Sequence, residues 1–308
     1  SSYATELLSS DNIDIINIRA NELIKLNNKR KEIETLLLDE INFQNIKDEN
    51  SWLDENNSEI ELPKNKLFNT LDLKFKDSLI NWSKNGYAVL PSFFAKDKID
   101  IANSTIQQLI DSGKAKWQNG NKIMFALHQD DFLKEMGNSK IIKEILEMLM
   151  GKEIDIFQSI NFIEGSKQRT HSDSVHMTTF PTGNITAIWI ALEDMTLENG
   201  PLHYYPGSHK LPYILNKDYG NEGNKWLIGN KTYDKYEDKI QEVIGSNNLK
   251  KEINLAKKGD VFIWHANLLH GGEAILDKKS TRKSMVFHYY AKEAICYHEI
   301  KQRPTLKR

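Results

Sequence analysis

The chain has 308 residues, 41 of them basic and 43 acidic, for a formal net charge of -2. That balance excludes a global field that would draw the protein to nucleic acid or to an anionic membrane, and neither partner is needed to explain the sequence. A 39% hydrophobic fraction supplies a substantial core, while the single cysteine, Cys296, excludes an intrachain disulfide framework or a multi-cysteine metal site. No apolar run approaches the ~20 residues of a membrane helix, and no signal-peptide pattern opens the chain, so a cytoplasmic setting is expected.

Residues 1–65 read as a helical N-terminal extension. Ile16, Ala20, Leu23, Leu26, Ile33 and Leu37 recur mostly three or four apart, which predicts an amphipathic helix or a pair broken near Asn27-Asn28. Such a helix either packs on the main domain or serves as an oligomerisation arm. Asn50 to Asn65 is polar, contains Pro63 and reads as a connector. Residues 66–308 are assigned to one main domain. Within it, Asn85 to Phe94 predicts a strand after an Asn-Gly turn. Lys96 to Ile110 and Ser139 to Met150 predict helices, the second capped at Asn138 or Ser139 and stopped by Gly151.

Beyond Glu153 the periodicity changes. Ile154 to Glu164, Asn184 to Leu192, Leu202 to Pro206, Asp260 to Ala266 and Lys283 to Ala291 are rich in β-branched and aromatic residues and are punctuated by glycine turns. Short strands in succession, mostly without helices between them, predict an antiparallel barrel or jelly roll rather than a parallel sheet. The fold class is therefore mainly β with flanking helices. Residues 213–249 interrupt the series and read as a surface insertion or a lid.

Chemistry concentrates in two stretches. The first, THSDSVH, holds His171 and Asp173; the second, GDVFIWHANLLHGG, holds His270. On a strand, residues i and i+2 share a face, so His171 and Asp173 reach one metal from one segment. His270 completes a set of two histidines and one carboxylate, which leaves coordination positions open, as in non-haem iron(II) sites. The same donors also bind zinc, which keeps a hydrolase open beside an oxygenase. His128-Gln129-Asp130 repeats the spacing, but it lies in an acid-rich helix start without a strand-and-glycine partner.

The order His171-x-Asp173, WIALEDMTLENGPLHYYPGSHK (Trp189 to Lys210), GDVFIWHANLLHGG and Arg282 resembles the phytanoyl-CoA dioxygenase family, a branch of the iron(II)- and 2-oxoglutarate-dependent oxygenases that includes the ectoine hydroxylases. The resemblance covers about Asn85 to Tyr290. It implies a cupin-like double-stranded β-helix, with Fe(II) held by His171, Asp173 and His270. It further implies 2-oxoglutarate and O2 as co-substrates, and hydroxylation of a C–H bond in a small, polar molecule with release of succinate and carbon dioxide. Arg282 would take the far carboxylate of 2-oxoglutarate, since a guanidinium is a planar fork matched to that group.

Ser284 shares a strand face with Arg282 and is assigned to the same subsite. Arg169 would share the face of His171 and contact 2-oxoglutarate or an anionic substrate group, its alternative being a surface salt bridge. His176, Gln158 and Tyr204 are the substrate-contact candidates. His203, His209, His265, His288 and His298 read as structural histidines, and Trp189 and Trp264 as core first and pocket wall second. Asp173 argues against halogenation, whereas desaturation and ring closure use the same ligands. A zinc hydrolase and an inactive cupin-like binding protein remain as competing readings.

Overall fold

Alternating side-chain direction along strands buried on both faces separates two cores, and the site lies in the inner one. The structure, a computed structural model, describes residues 52–55, 57–118, 121–166, 168–223, 229–292, 294–300 and 303–304. Its main layer is a seven-stranded sheet of β1 (Tyr87–Leu90), β2 (Trp117–Gln118), β3 (Lys122–Met124), β4 (Ile154–Phe162), β6 (Ile185–Ala191), β9 (Val261–His265) and β11 (Ser284–Ala291). The spatial order is β1-β9-β6-β11-β4-β3-β2. Every pairing in it is antiparallel.

Two smaller antiparallel sheets complete the β structure. One joins β7 (Leu202–Tyr204), β8 (Glu252–Asn254) and β10 (His270–Gly272) in the order β10-β7-β8. The other joins β5 (Thr178–Phe180), β12 (Ile295–His298) and β13 (Arg303–Pro304) in the order β13-β12-β5. This is the expected jelly roll of the double-stranded β-helix type.

Period-two alternation on β11 shows how the layers are built. Met285, Phe287 and Tyr289 enter the core beneath the helices, whereas Val286 enters the interior with Phe162, Trp189 and Trp264. Helix α1 (Lys96–Asp111) buries Ile99, Ala102, Ile106 and Leu109, the stripe expected from their spacing. After α2 (Asp131–Gly137) comes α3 (Lys140–Met150), which buries Ile142, Ile145, Leu146 and Leu149 against the same sheet face. Helix α4 (Tyr233–Ser246) lies within the insertion and joins a third core of Val175, Tyr205, Ile214, Tyr236, Ile240 and Leu269.

Two expectations need correction. The stretch read as a polar connector is a series of short helical turns, Trp52–Glu55, Ser58–Glu61 and Leu62–Lys64. Leu53 and Leu62 are 0% exposed in the main hydrophobic core. The polar composition belongs to the outward faces of those turns: Asn57, for instance, caps one by accepting from the Glu59 N–H. Ile295–His298, which carried no strand assignment, pairs with Thr178–Phe180. The amphipathic pattern from Ile16 to Leu37 and its oligomerisation reading lie outside the described residues.

If residues 52–64 belong to the core, Leu53→Ala lowers unfolding free energy by about 2–5 kcal/mol in urea titrations. Leu276→Ala, at a side chain 70% exposed, stays within about 0.5 kcal/mol of wild type. Equal effects would return the segment to the status of a connector.

Candidate active site

The two ligand-bearing segments are joined through their backbones. His171 N–H donates to the His270 carbonyl and His270 N–H donates to the His171 carbonyl, both at 2.9 Å. Asp173 N–H donates to Ala266 O at 3.0 Å, tying the next ligand to the chain that leads into β10. The expectation of an H-x-D pair on one strand is corrected here. His171 makes an isolated bridge and Asp173 begins a short 3-10 turn, Asp173–Val175, while Ser172 between them is extended (φ -109°, ψ 153°), so the two side chains still share a face without a regular strand. Gly271 lets the segments approach: a Cβ there would lie 2.7 Å from the His203 ring and 2.9 Å from Gln168 O.

Each imidazole is fixed in one tautomer. The Nδ1–H of His171 donates to Arg169 O and that of His270 to Leu268 O, both at 2.9 Å. A carbonyl only accepts, so both Nε2 lone pairs are left for a metal. They face Asp173 Oδ1 at 4.0 and 3.8 Å. The other carboxylate oxygen, Oδ2, accepts from the Trp264 indole N–H at 2.7 Å and has His288 Nε2 at 3.6 Å. Among the described residues, His171, Asp173 and His270 form the one group of metal-ligating side chains whose ligand atoms lie within 4.8 Å of one another.

Electrostatics favour the ligating forms. Burial, with His270 nearby, holds His171 well below its ordinary value and so keeps it neutral. Burial alone would raise Asp173, but His270, His288 and His171 together hold it below the usual carboxylate range. Neutral nitrogen and anionic oxygen donors suit iron(II) and also zinc. Three protein donors leave room for exogenous ligands.

Two cationic side chains adjoin this set. Arg282 is 2% exposed; its Nε–H donates to Gly200 O and its Nη1–H to Ser284 Oγ, each at 3.0 Å. The guanidinium lies 5.6 Å from the Phe162 ring centroid, and the Lys122 ammonium lies 5.9 Å from the same ring. Burial lowers Arg282 to about 10, opposed by Glu193, and lowers Lys122, opposed by Asp173. The Trp189 indole N–H, buried beside Arg282, has no hydrogen-bond partner. A buried Arg282, a half-buried Lys122 and an unsatisfied buried donor fit a dianionic ligand.

The remaining assigned residues divide. Ser284 stands where its shared face with Arg282 predicted. His176 has its ring 6.0 Å from that of His171, and Gln158 lies 3.4 Å from His288 Nδ1, so both border the centre. Arg169 is half exposed and pairs with Glu237 at 3.1 Å and Asp238 at 3.8 Å on α4. The strand that would have aimed it inward ends before it, and the salt-bridge alternative holds. Tyr204 packs against Tyr87 and Phe262 and donates its hydroxyl to Glu252 at 3.0 Å, which makes it a packing residue rather than a substrate contact.

The second H-x-D pair supplies no ligand set, because Asp130 caps α2 by accepting from Leu133 N–H. Sequence reasoning missed Lys122 and placed His288 and Trp264 outside the chemistry. Only the alternation of Phe262 and Trp264 on one strand face hinted at the role of the latter.

A sequence profile of the phytanoyl-CoA dioxygenase family matches residues 82–284. The chain belongs to that family. It is similar to the phytanoyl-CoA dioxygenase domain-containing protein 1 homolog of Caenorhabditis briggsae, 31% identical over 186 residues, 56% of this chain and 59% of that protein. It also matches the corresponding protein of Rattus norvegicus, 28% identical over 54% of this chain and 56% of the relative. The chain thus spans little more than half the length of these relatives.

Among solved structures it resembles the α-ketoglutarate-dependent carbocyclase SnoK of nogalamycin biosynthesis, with TM-score 0.62, 16% identity, and 78% and 95% of the two chains covered. It also resembles EctD from S. alaskensis with 2-oxoglutarate and 5-hydroxyectoine, with TM-score 0.56, 18% identity, and coverage of 72% and 78%. At these identities the likeness is one of fold.

Trp264→Phe removes the donor to Asp173 Oδ2 and keeps the aromatic volume. Metal affinity, read by Mn(II) titration, is expected to fall about 10–100-fold; an unchanged affinity would mean the indole does not orient the ligand.

A pH effect follows from two histidines outside the ligand set. Burial pushes His203 down to about 4 against the pull of Glu273, and His209 down to about 3. Unfolded, each binds a proton near its ordinary value of 6.5, so the unfolded state carries more protons below that pH. The stability these residues contribute is complete above it and is lost as pH falls from it towards 4 and 3. Together they remove about 2–3 kcal/mol between pH 7.5 and 5.5, measured by urea unfolding, with a shallower pH slope in His209→Gln. Identical slopes in variant and wild type would contradict a buried neutral His209.

Proposed function

We propose that this protein is an Fe(II)- and 2-oxoglutarate-dependent dioxygenase that hydroxylates a C–H bond of a small, polar molecule in the cytoplasm. The observation that carries the reading is the pairing of a two-histidine, one-carboxylate centre with a buried Arg282 and a half-buried Lys122, both beside the Phe162 ring. Hydrolysis on zinc has no use for these two cations, and a merely structural metal site does not explain them.

His171, Asp173 and His270 hold the iron through Nε2, a carboxylate oxygen and Nε2. Arg282, held by Gly200 O and Ser284 Oγ, presents its remaining N–H groups to the far carboxylate of 2-oxoglutarate. Lys122 supplies a second positive charge, and the Trp189 N–H a further donor. When bound, iron and 2-oxoglutarate use O2 to convert a C–H bond to C–OH, with one oxygen atom going to the product and the other to succinate, and with release of carbon dioxide. Phe162, Trp189, Trp264 and Val286 pack beside these groups as buried apolar surface that excludes water. His176 and Gln158 border the centre and are assigned to substrate contact.

The test is anaerobic loading with Fe(II), followed by 2-oxoglutarate and O2 and quantification of succinate. Wild type makes succinate and His171→Ala makes none above background. Arg282→Gln raises the KM for 2-oxoglutarate about 30-fold or more, as expected for removing one partner of a buried charged pair at about 2 kcal/mol or more. Metal-loaded wild type that neither binds 2-oxoglutarate nor forms succinate would refute the proposal. Zinc retention with ester or amide cleavage would establish the hydrolase instead.

A further inference from the structure

The insertion does more than cover the β domain. Helix α4 meets the segment His171–His176 through two tyrosine hydroxyls. Tyr236, 0% exposed, accepts from the N–H of Ser172, the residue between two metal ligands, at 3.0 Å. Tyr233, one turn earlier, has its ring 5.4 Å from that of Tyr236 and its hydroxyl 3.0 Å from His176 Nε2.

Tyr233 also ends a directional chain that starts at the co-substrate cation. Lys122 Nζ lies 3.0 Å from Gln168 Oε1, and Gln168 Nε2 lies 3.3 Å from the Tyr233 hydroxyl. An ammonium only donates, which orients the Gln168 carbonyl towards Lys122 and its NH2 towards Tyr233. The tyrosine oxygen accepts there and keeps its own proton to give, and His176 Nε2 is the acceptor in reach at 3.0 Å. In that arrangement His176 carries its proton on Nδ1. Four side chains from β3, the loop before His171, the insertion helix and the loop after Asp173 are aligned by one donor that has no second orientation.

We infer that Tyr233 is a positioning residue: through Gln168 it sets Lys122 for 2-oxoglutarate, and by its own proton it sets His176 on the substrate side. The inference rests on the proposed function, since Lys122 is there assigned to the co-substrate. It makes α4 a fixed wall of the site that contributes to both subsites, rather than a detachable cover. A lysine of four rotatable bonds is defined in position only when its partner is. Gln168, in turn, is held by the tyrosine.

The test uses the full chain loaded with Mn(II) in place of iron. The 2-oxoglutarate Kd is measured by calorimetry, and the Mn(II) affinity by EPR, for wild type, Tyr233→Phe, Gln168→Leu and the double variant. Each single variant weakens 2-oxoglutarate about five- to tenfold, the size of one lost hydrogen bond. The double variant is no weaker than the worse single, because both break one chain. Mn(II) affinity and the unfolding midpoint stay at wild-type values, which a general loosening of the fold would not allow. In the Zn(II)-loaded protein, imidazole 15N spectra show His176 as the Nδ1–H tautomer in wild type and lose that signature in Tyr233→Phe.

Unchanged 2-oxoglutarate affinity in Tyr233→Phe, additive losses in the double variant, or a parallel fall in Mn(II) affinity would each overturn the inference while leaving the proposed function standing. Failure of the wild type to bind 2-oxoglutarate would instead refute the proposed function, and this inference with it.

Discussion

The reciprocal pair of backbone hydrogen bonds between His171 and His270 is the constraint on which the site depends. It brings together ligands that are far apart in sequence without relying on the rotamers of either side chain. The carbonyls of Arg169 and Leu268, each two residues before its histidine, then fix the ring tautomers. Main-chain atoms thus decide where both Nε2 lone pairs point. Asp173 is the one ligand held through its side chain, and the buried Trp264 indole supplies that restraint. Such pre-alignment removes the entropy of ordering three flexible ligands at the moment of binding.

Placing a buried Arg282 and a half-buried Lys122 together beside one phenylalanine is costly in a β interior, because each cation gives up hydration. A chamber of apolar residues would make a more stable domain. The structure offsets part of the cost with hydrogen bonds from Arg282 to Gly200 and Ser284, with ring faces of Phe162 and Trp189, and with the charge of Glu193. On the proposed reading, the remainder is recovered when a dianion enters. In the same way the insertion gives up solvent exposure of Tyr233 and Tyr236 to place hydroxyls against the ligand segment. Stability and function share these groups, and the positions that are hardest to bury are the ones that give the site its selectivity.

Long, aromatic and β-branched runs made β4, β6, β9 and β11 legible, and apolar spacing did the same for α1 and α3. The three-residue strand Thr178–Phe180 and its partner Ile295–His298 were not legible, since neither is long enough to show a period and their pairing is set by tertiary contact. The turns from 52 to 64 were misread because two buried leucines, Leu53 and Leu62, are a weak signal among many polar neighbours. At the site, the three candidate ligands were readable and the secondary structure around them was not: an isolated bridge at His171 and a 3-10 turn from Asp173 stand in place of the expected strand. Arg169 turns outward to Glu237. Lys122 and His288 carry no motif, and only the sheet register brings them to Asp173 and its neighbours.

The most direct test of this account is a crystal structure of the chain grown anaerobically with Mn(II) and 2-oxoglutarate. The account predicts one metal on His171 Nε2, His270 Nε2 and Asp173 Oδ1, with Oδ2 still accepting from Trp264 and the far carboxylate of 2-oxoglutarate on Arg282. A metal bound through either Nδ1, or 2-oxoglutarate seated away from Arg282, would contradict it.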